Sequence, residues 1–169
     1  MDFITVKTKE YLELNESEIQ DLNLILDLYD DIELDKNICN LHQRGYIQTI
    51  FRKKLIEKYK TCIISENMVI ADECDAAHII PITNPTSSYK ITNGLLLSKI
   101  LHETFDRYYW SINPKTLKIE YSQYINPGSI KNYNSNILIN KLKNDLDLIT
   151  NLSWHYNKFL ETELERVKN

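Results

Sequence analysis

Cysteine is scarce in this chain of 169 residues, which holds only three: Cys39, Cys62 and Cys74. Their number is odd and no two of them form a C-x-x-C pair, which argues against a disulfide framework or a four-cysteine zinc site. We therefore expect reduced, buried thiols, the usual state of free cysteine in a protein core.

Long hydrophobic runs are also absent. No apolar stretch approaches the ~20 residues that a membrane-spanning helix needs. Residues 1–7 lack the basic and apolar regions of a secretory signal. We therefore expect an intracellular protein without a membrane partner.

Glycine and proline are few, at 3 and 4 residues, whereas 43% of the residues are hydrophobic and 10% are aromatic. Such a chain is too apolar to be disordered. Its length suits one globular domain, or a compact core with helical additions. We predict an acidic arm and helix in residues 1–40, followed by one domain over residues 41–169.

The formal net charge of −4 argues against a nucleic-acid partner at face value. The charge is unevenly distributed, however. Residues 1–35 hold eleven acids and two bases, a balance of −9, and residues 36–169 hold 18 bases and 13 acids, or +5. A basic surface is therefore compatible with the composition, and the acidic segment is expected to lie away from it.

Apolar spacing predicts a mixed α+β chain. An N-cap at Ser17 begins the acidic helix. The later predicted elements are a helix over about 43–59, short strands near 62–65, 68–71 and 76–81, a very short strand at 95–97, a helix capped by Ser98 and ending near Arg107, a hairpin over 108–121, and helices over about 137–149 and 151–167.

Chemically versatile side chains are concentrated between residues 74 and 106. His78 ends a predicted strand, Asn93 lies in an Asn-Gly turn, and His102 lies on a predicted helix. Asp106 follows His102 by four residues, so both side chains share one helix face and can reach a single divalent cation. Each of these signals is weak alone, because a lone histidine is more often structural than catalytic. Their order within about 25 residues is the specific observation.

That order resembles the HNH nucleases, and in particular a restriction-type branch. The segments that carry the resemblance read AAHIIP at 76–81, NGLLL at 93–97 and LHETFD at 101–106, with QTIFRKKL at 48–55, Tyr59 and Cys62 as a lead-in and WHYNKF at 154–159 as a closing helix. The likeness is strongest over 74–112. It implies a ββα-metal (His-Me finger) core with N- and C-terminal helices packed around it.

The resemblance also implies residue roles. His78 would be the general base, and His102 and Asp106 would hold one divalent metal ion. Asn93 completes the catalytic set and is expected to brace the loop through backbone hydrogen bonds. Asp75 is either a further metal ligand or a residue that orients one. Many HNH proteins have a metal-binding Asp where this chain has Ala77, so the third protein ligand stays open.

We expect magnesium or manganese in such a site, with zinc or nickel as alternatives. Arg52, Lys53, Lys54 and Arg107 are the candidate nucleic-acid contacts. The predicted function is metal-dependent hydrolysis of DNA, restriction-like in role, with a homodimer as one way to cut both strands. The alternative is an HNH scaffold that binds nucleic acid without cutting it.

Overall fold

The computed structural model describes residues 41–125 and 140–168, together with Ser17, which is helical and exposed. The rest of the predicted acidic arm and helix, including Cys39, lies outside the described residues. The described elements are α1 (Leu41–Tyr59), β1 (Thr61–Cys62), β2 (Glu66–Ile70), β3 (Cys74–His78), β4 (Gly94–Ser98), α2 (Lys99–Asp106), β5 (Trp110–Ile112), β6 (Ile119–Tyr121) and α3 (Leu146–Lys168).

The strands form three antiparallel pairs, β1–β2, β3–β4 and β5–β6, so the predicted α+β class is confirmed. In the central pair Cys74 lies opposite Ser98 and His78 opposite Gly94, without a bulge. Helix α2 follows β4 directly and packs on both strands. The order β3–β4–α2 is therefore a ββα unit. Among the described helices, none is long and apolar enough to cross a membrane.

Helix α1 buries the predicted apolar stripe, which comprises Ile47, Ile50, Phe51, Leu55 and Tyr59. Two polar side chains of α1 form hydrogen bonds with the outer edge of β3, which faces away from β4. Gln48 Nε2 donates to the carbonyl of Ala76 (3.4 Å), and Arg52 Nε donates to that of Cys74 (3.2 Å). Side-chain donors on successive turns of α1 thus satisfy alternate carbonyls of an edge strand that would otherwise lack partners.

Helix α2 ends in a Schellman motif. The amide of Tyr108 donates to the carbonyl of Phe105 and the amide of Tyr109 to that of Thr104, both at 2.9 Å. Tyr108 takes the left-handed position of this motif, with φ 54°. Glycine is usual there, and a residue with a Cβ costs about 1–2 kcal/mol. The predicted helix end near Arg107 is confirmed, whereas Ser98 occupies the N-cap without a side-chain capping bond.

Helix α3 begins at Leu146, five residues before the predicted start at Asn151. The carboxylate of Asp145 accepts a hydrogen bond from the Leu148 amide at 3.0 Å, so Asp145 is the N-cap. The prediction of a separate helix over 137–149 was wrong at its C-terminal end, because Ile149 belongs to α3. Residues 126–139 lie outside the described part of the chain.

The two described cysteines are free and buried, as predicted. The sulfur of Cys62 accepts hydrogen bonds from the amides of Ser65 (3.4 Å) and Ser98 (3.3 Å). Burial raises the pKa of the Cys74 thiol to about 11, with a further contribution from Cys62. Both thiols are therefore structural and of low reactivity.

Replacing Gly94 with alanine is expected to destabilise the fold by about 1–3 kcal/mol, the range for overpacking a core. A Cβ at this position would lie 2.5 Å from Phe51 Cζ and 2.7 Å from Leu55 Cδ1, both in the buried interior. Chemical denaturation measures the change. Gly45→Ala, within α1, is the control and should not lower stability, since alanine favours a helix interior. Equal stabilities of Gly94→Ala and the wild type would contradict the packing.

Candidate active site

The candidate site is a cleft of about 290 Å³ at the end of β3, between α2 and α3. The residues that line it are His78, His102, Asp106, Tyr108 and His155, together with the loop residues Ile79, Pro81, Ile82 and Thr83. The structure therefore brings three of the predicted site residues, His78, His102 and Asp106, to one opening.

The His78 ring is held by two aromatic side chains. It stacks on Phe51 at 4.4 Å between ring centroids with an angle of 10°, and the edge of Tyr89 meets it at 5.3 Å. Phe51 is fully buried in α1, so the orientation of the imidazole is fixed by the core. A ring fixed in this way can present a nitrogen to the cleft at little conformational cost.

Asn93 closes the loop between β3 and β4. Its Oδ1 accepts from the Ile80 amide at 2.9 Å, and its Nδ2 donates to the carbonyls of Ile80 (3.1 Å) and Ser88 (2.9 Å) and to Ser87 Oγ (3.1 Å). The side chain is 1% exposed. These contacts are the backbone bracing expected of Asn93, and they hold the segment that follows His78.

His102 lies between two carboxylates. Its Nδ1 is 3.2 Å from Asp75 Oδ2 and its Nε2 is 3.3 Å from Asp106 Oδ2. The hydrogen bond to Asp106 raises the pKa of His102; burial opposes this rise and Asp75 adds to it. Asp75 and Asp106 therefore contact opposite nitrogens of one imidazole.

This donor set fits a divalent cation. Two adjacent ligands of an ion that binds at ~2.1 Å lie about 3 Å apart. The 3.3 Å between His102 Nε2 and Asp106 Oδ2 is close to that spacing. Asp75 lies at the other nitrogen, where a carboxylate fixes the tautomer of a metal-binding histidine. Of the two roles open to Asp75, the geometry favours the orienting one.

No group of three or more His, Cys, Asp or Glu side chains converges within residues 41–125 and 140–168. His102 and Asp106 thus offer two protein ligands. Water and substrate oxygens would complete the coordination of a divalent ion held by these two residues.

His155 also lines the cleft, and no sequence signal identifies it as a site residue. His155 is 2% exposed and stacks on Phe105 with 3.6 Å between ring centroids. Its Nδ1 lies 2.9 Å from Ser111 Oγ and its Nε2 lies 3.2 Å from the Phe105 carbonyl. Burial lowers the pKa of His155 to about 3. It is a neutral residue that ties α3 to α2.

The predicted nucleic-acid contacts occupy different environments. The Arg52 guanidinium donates to the carbonyls of Cys74 and Asp72, so it braces β3. Lys53 and Lys54 are half-buried on α1, and Arg107 is exposed at the end of α2 beside the cleft. Contact of these four residues with phosphates stays a prediction.

A ββα unit with one histidine at the strand end, and a second histidine beside an aspartate on the helix, is the arrangement that the resemblance to HNH nucleases implies. Residues 62–113 match the family model described as HNH endonuclease (HNH_2). The resemblance to HNH nucleases is confirmed over this segment. No curated protein matches the chain.

Replacing His155 with glutamine should make stability less sensitive to acid. A histidine whose folded pKa is depressed to about 3 stabilises the fold fully above its unfolded pKa of about 6.5, and this contribution is lost as the pH falls toward 3. Between pH 6 and 4, the free energy of unfolding of the wild type should fall more steeply than that of the variant, by up to ~1.4 kcal/mol per pH unit. Urea titrations measure both slopes. Parallel slopes would contradict a neutral buried His155.

Proposed function

We propose that this protein is a metal-dependent endonuclease that hydrolyses DNA phosphodiester bonds. The observation that carries the proposal is the pairing of His102 Nε2 with Asp106 Oδ2 at 3.3 Å, in the same cleft as His78. A divalent ion held by His102 and Asp106, next to the fixed imidazole of His78, would supply both requirements of phosphodiester hydrolysis: an activated water and compensation of negative charge.

His78 is the proposed general base. It takes a proton from the water that attacks phosphorus, and histidine suits this role because its ordinary pKa lies near neutral pH. Stacking on Phe51 and the edge contact with Tyr89 hold the imidazole in place. Asn93 holds the segment that follows His78 and is a positioning residue.

His102 and Asp106 are the proposed ligands of one magnesium or manganese ion, with zinc or nickel as alternatives. Asp75 accepts a hydrogen bond from His102 Nδ1–H and so leaves the Nε2 lone pair facing Asp106. A divalent cation held there would stabilise negative charge on the phosphate and on the leaving oxygen.

A restriction-like role and a homodimer belong to the same proposal. The described residues of each chain offer one candidate site, so one chain would cut one strand at a time. Two copies would bring a site to each strand of a duplex, and the resemblance to restriction-type proteins is what supports this role.

Replacing His78 with alanine should reduce cleavage by about 10²–10⁴-fold, the usual contribution of a general base. Plasmid nicking with Mg²⁺ or Mn²⁺ measures the rate, and the far-UV circular dichroism and DNA affinity of the variant should remain near those of the wild type. Lys115→Ala, an exposed position in the β5–β6 turn, is the control and should cut normally. Undiminished nicking by a folded His78→Ala protein would overturn the assignment of the base. Binding without nicking by the wild type would favour a non-cleaving module.

Replacing His102 or Asp106 with alanine should weaken Mn²⁺ binding, because each change removes one of the two proposed ligands. Asp75→Asn should weaken Mn²⁺ binding less than either alanine variant does, by about 10–100-fold, the usual effect of losing a residue that orients a ligand. Isothermal calorimetry measures all three affinities. Asp147→Asn, an exposed residue on α3, is the matched control. The same affinity in the wild type and in both ligand variants would refute a shared ion.

A further inference from the structure

Helix α3 fixes the C-terminal end of α2, next to His102 and Asp106, the proposed metal ligands. Arg166 donates from Nη2 to the Arg107 carbonyl (2.7 Å) and from Nη1 to the Tyr108 carbonyl (2.9 Å). His155 contacts the Phe105 carbonyl, as described above. Three of the four carbonyls from Phe105 to Tyr108 are thus tied to one helix, which leaves Tyr108 little freedom of backbone movement.

Tyr108 lines the cleft together with His78, His102 and Asp106, and its ring lies 4.9 Å from the His155 ring at an angle of 42°. The side chain is half-buried. A tyrosine hydroxyl is protonated at neutral pH and is a hydrogen-bond donor.

Lys158 lies on the same side of α3 as His155, since residues three apart are neighbours on a helix surface. Its side chain is 45% exposed, and its ammonium lies 2.7 Å from Glu161 Oε2. An ammonium has three donors, so contact with Glu161 leaves capacity for a second acceptor. Because the Tyr108 ring packs on His155 and Lys158 lies one helical turn from His155, a neutral donor and a cation lie on the same side of α3.

We propose that the Tyr108 hydroxyl and the Lys158 ammonium bind one backbone phosphate of the DNA strand, next to the phosphate that is cut. This inference rests on the proposed function and adds the path of the strand, which passes from the His102–Asp106 pair toward α3. The ligand is a phosphodiester oxygen, which accepts hydrogen bonds from both groups.

A structural explanation competes with this one, because the Tyr108 ring also packs on His155. Tyr108→Phe separates the two, since it keeps the ring and removes only the hydroxyl. Lys158→Gln removes the charge at an exposed position. Lys168→Gln is the matched control, because Lys168 lies ten residues farther along α3, about 15 Å from Lys158.

The test is fluorescence anisotropy of a labelled DNA duplex in EDTA at several salt concentrations, with thermal melting of each protein. Tyr108→Phe should bind about 10-fold more weakly, the value of one hydrogen bond to a charged group, with an unchanged salt slope and melting temperature. Lys158→Gln should lower the slope of log K against log salt by about 0.9. The double variant should lose less binding free energy than the sum of the two single losses, because both groups bind the same phosphate.

The two proposals fail in different ways. If the wild type neither binds nor cuts DNA, the proposed function is overturned, and this inference with it. If the wild type cuts DNA while Tyr108→Phe and Lys158→Gln bind like the Lys168→Gln control, only the phosphate site is overturned. A loss in Tyr108→Phe that accompanies a lower melting temperature assigns Tyr108 to packing and also overturns the site.

Discussion

The close approach of Phe51 to Gly94 is the contact on which the candidate site depends. Only a residue without a side chain leaves room for the Phe51 ring at this point of β4, since an added Cβ would lie 2.5 Å from it. The same ring stacks on His78, which lies opposite Gly94 in the β3–β4 ladder. The geometry of the proposed base therefore depends on a core contact between α1 and the hairpin.

Helix α1 has a second structural role that is unrelated to its apolar face. Gln48 and Arg52 satisfy carbonyls on the outer edge of β3, so a strand with only one partner is held in register over five residues. Arg52, which belongs to the basic run on α1, therefore has a structural role. A charged residue in a run of bases is not by itself a phosphate contact, because its guanidinium can be used to cover a sheet edge.

The site features that the sequence predicts are local. The order of His78, Asn93 and His102, and the four-residue spacing to Asp106, follow from short stretches with clear periodicity. The contacts that the sequence does not reveal span long separations, such as His155 to Phe105 at 50 residues and Arg166 to Arg107 at 59. The structural role of Tyr108 is not predicted by the sequence, for a different reason. Its position in a Schellman motif usually carries glycine, so the residue type gave no turn signal, and the segment was predicted as part of a hairpin strand.

The negative charges around His102 connect cation binding with nucleic-acid binding. Asp75 and Asp106 place two carboxylates around one imidazole, at 3.2 and 3.3 Å. A phosphodiester would bring a third negative charge into the same cleft, and like charges at such distances repel strongly where water is partly excluded. Cation binding at His102 and Asp106 would remove this repulsion, so cation and nucleic acid are expected to favour each other's binding. By linkage, each must then raise the affinity of the other by the same factor.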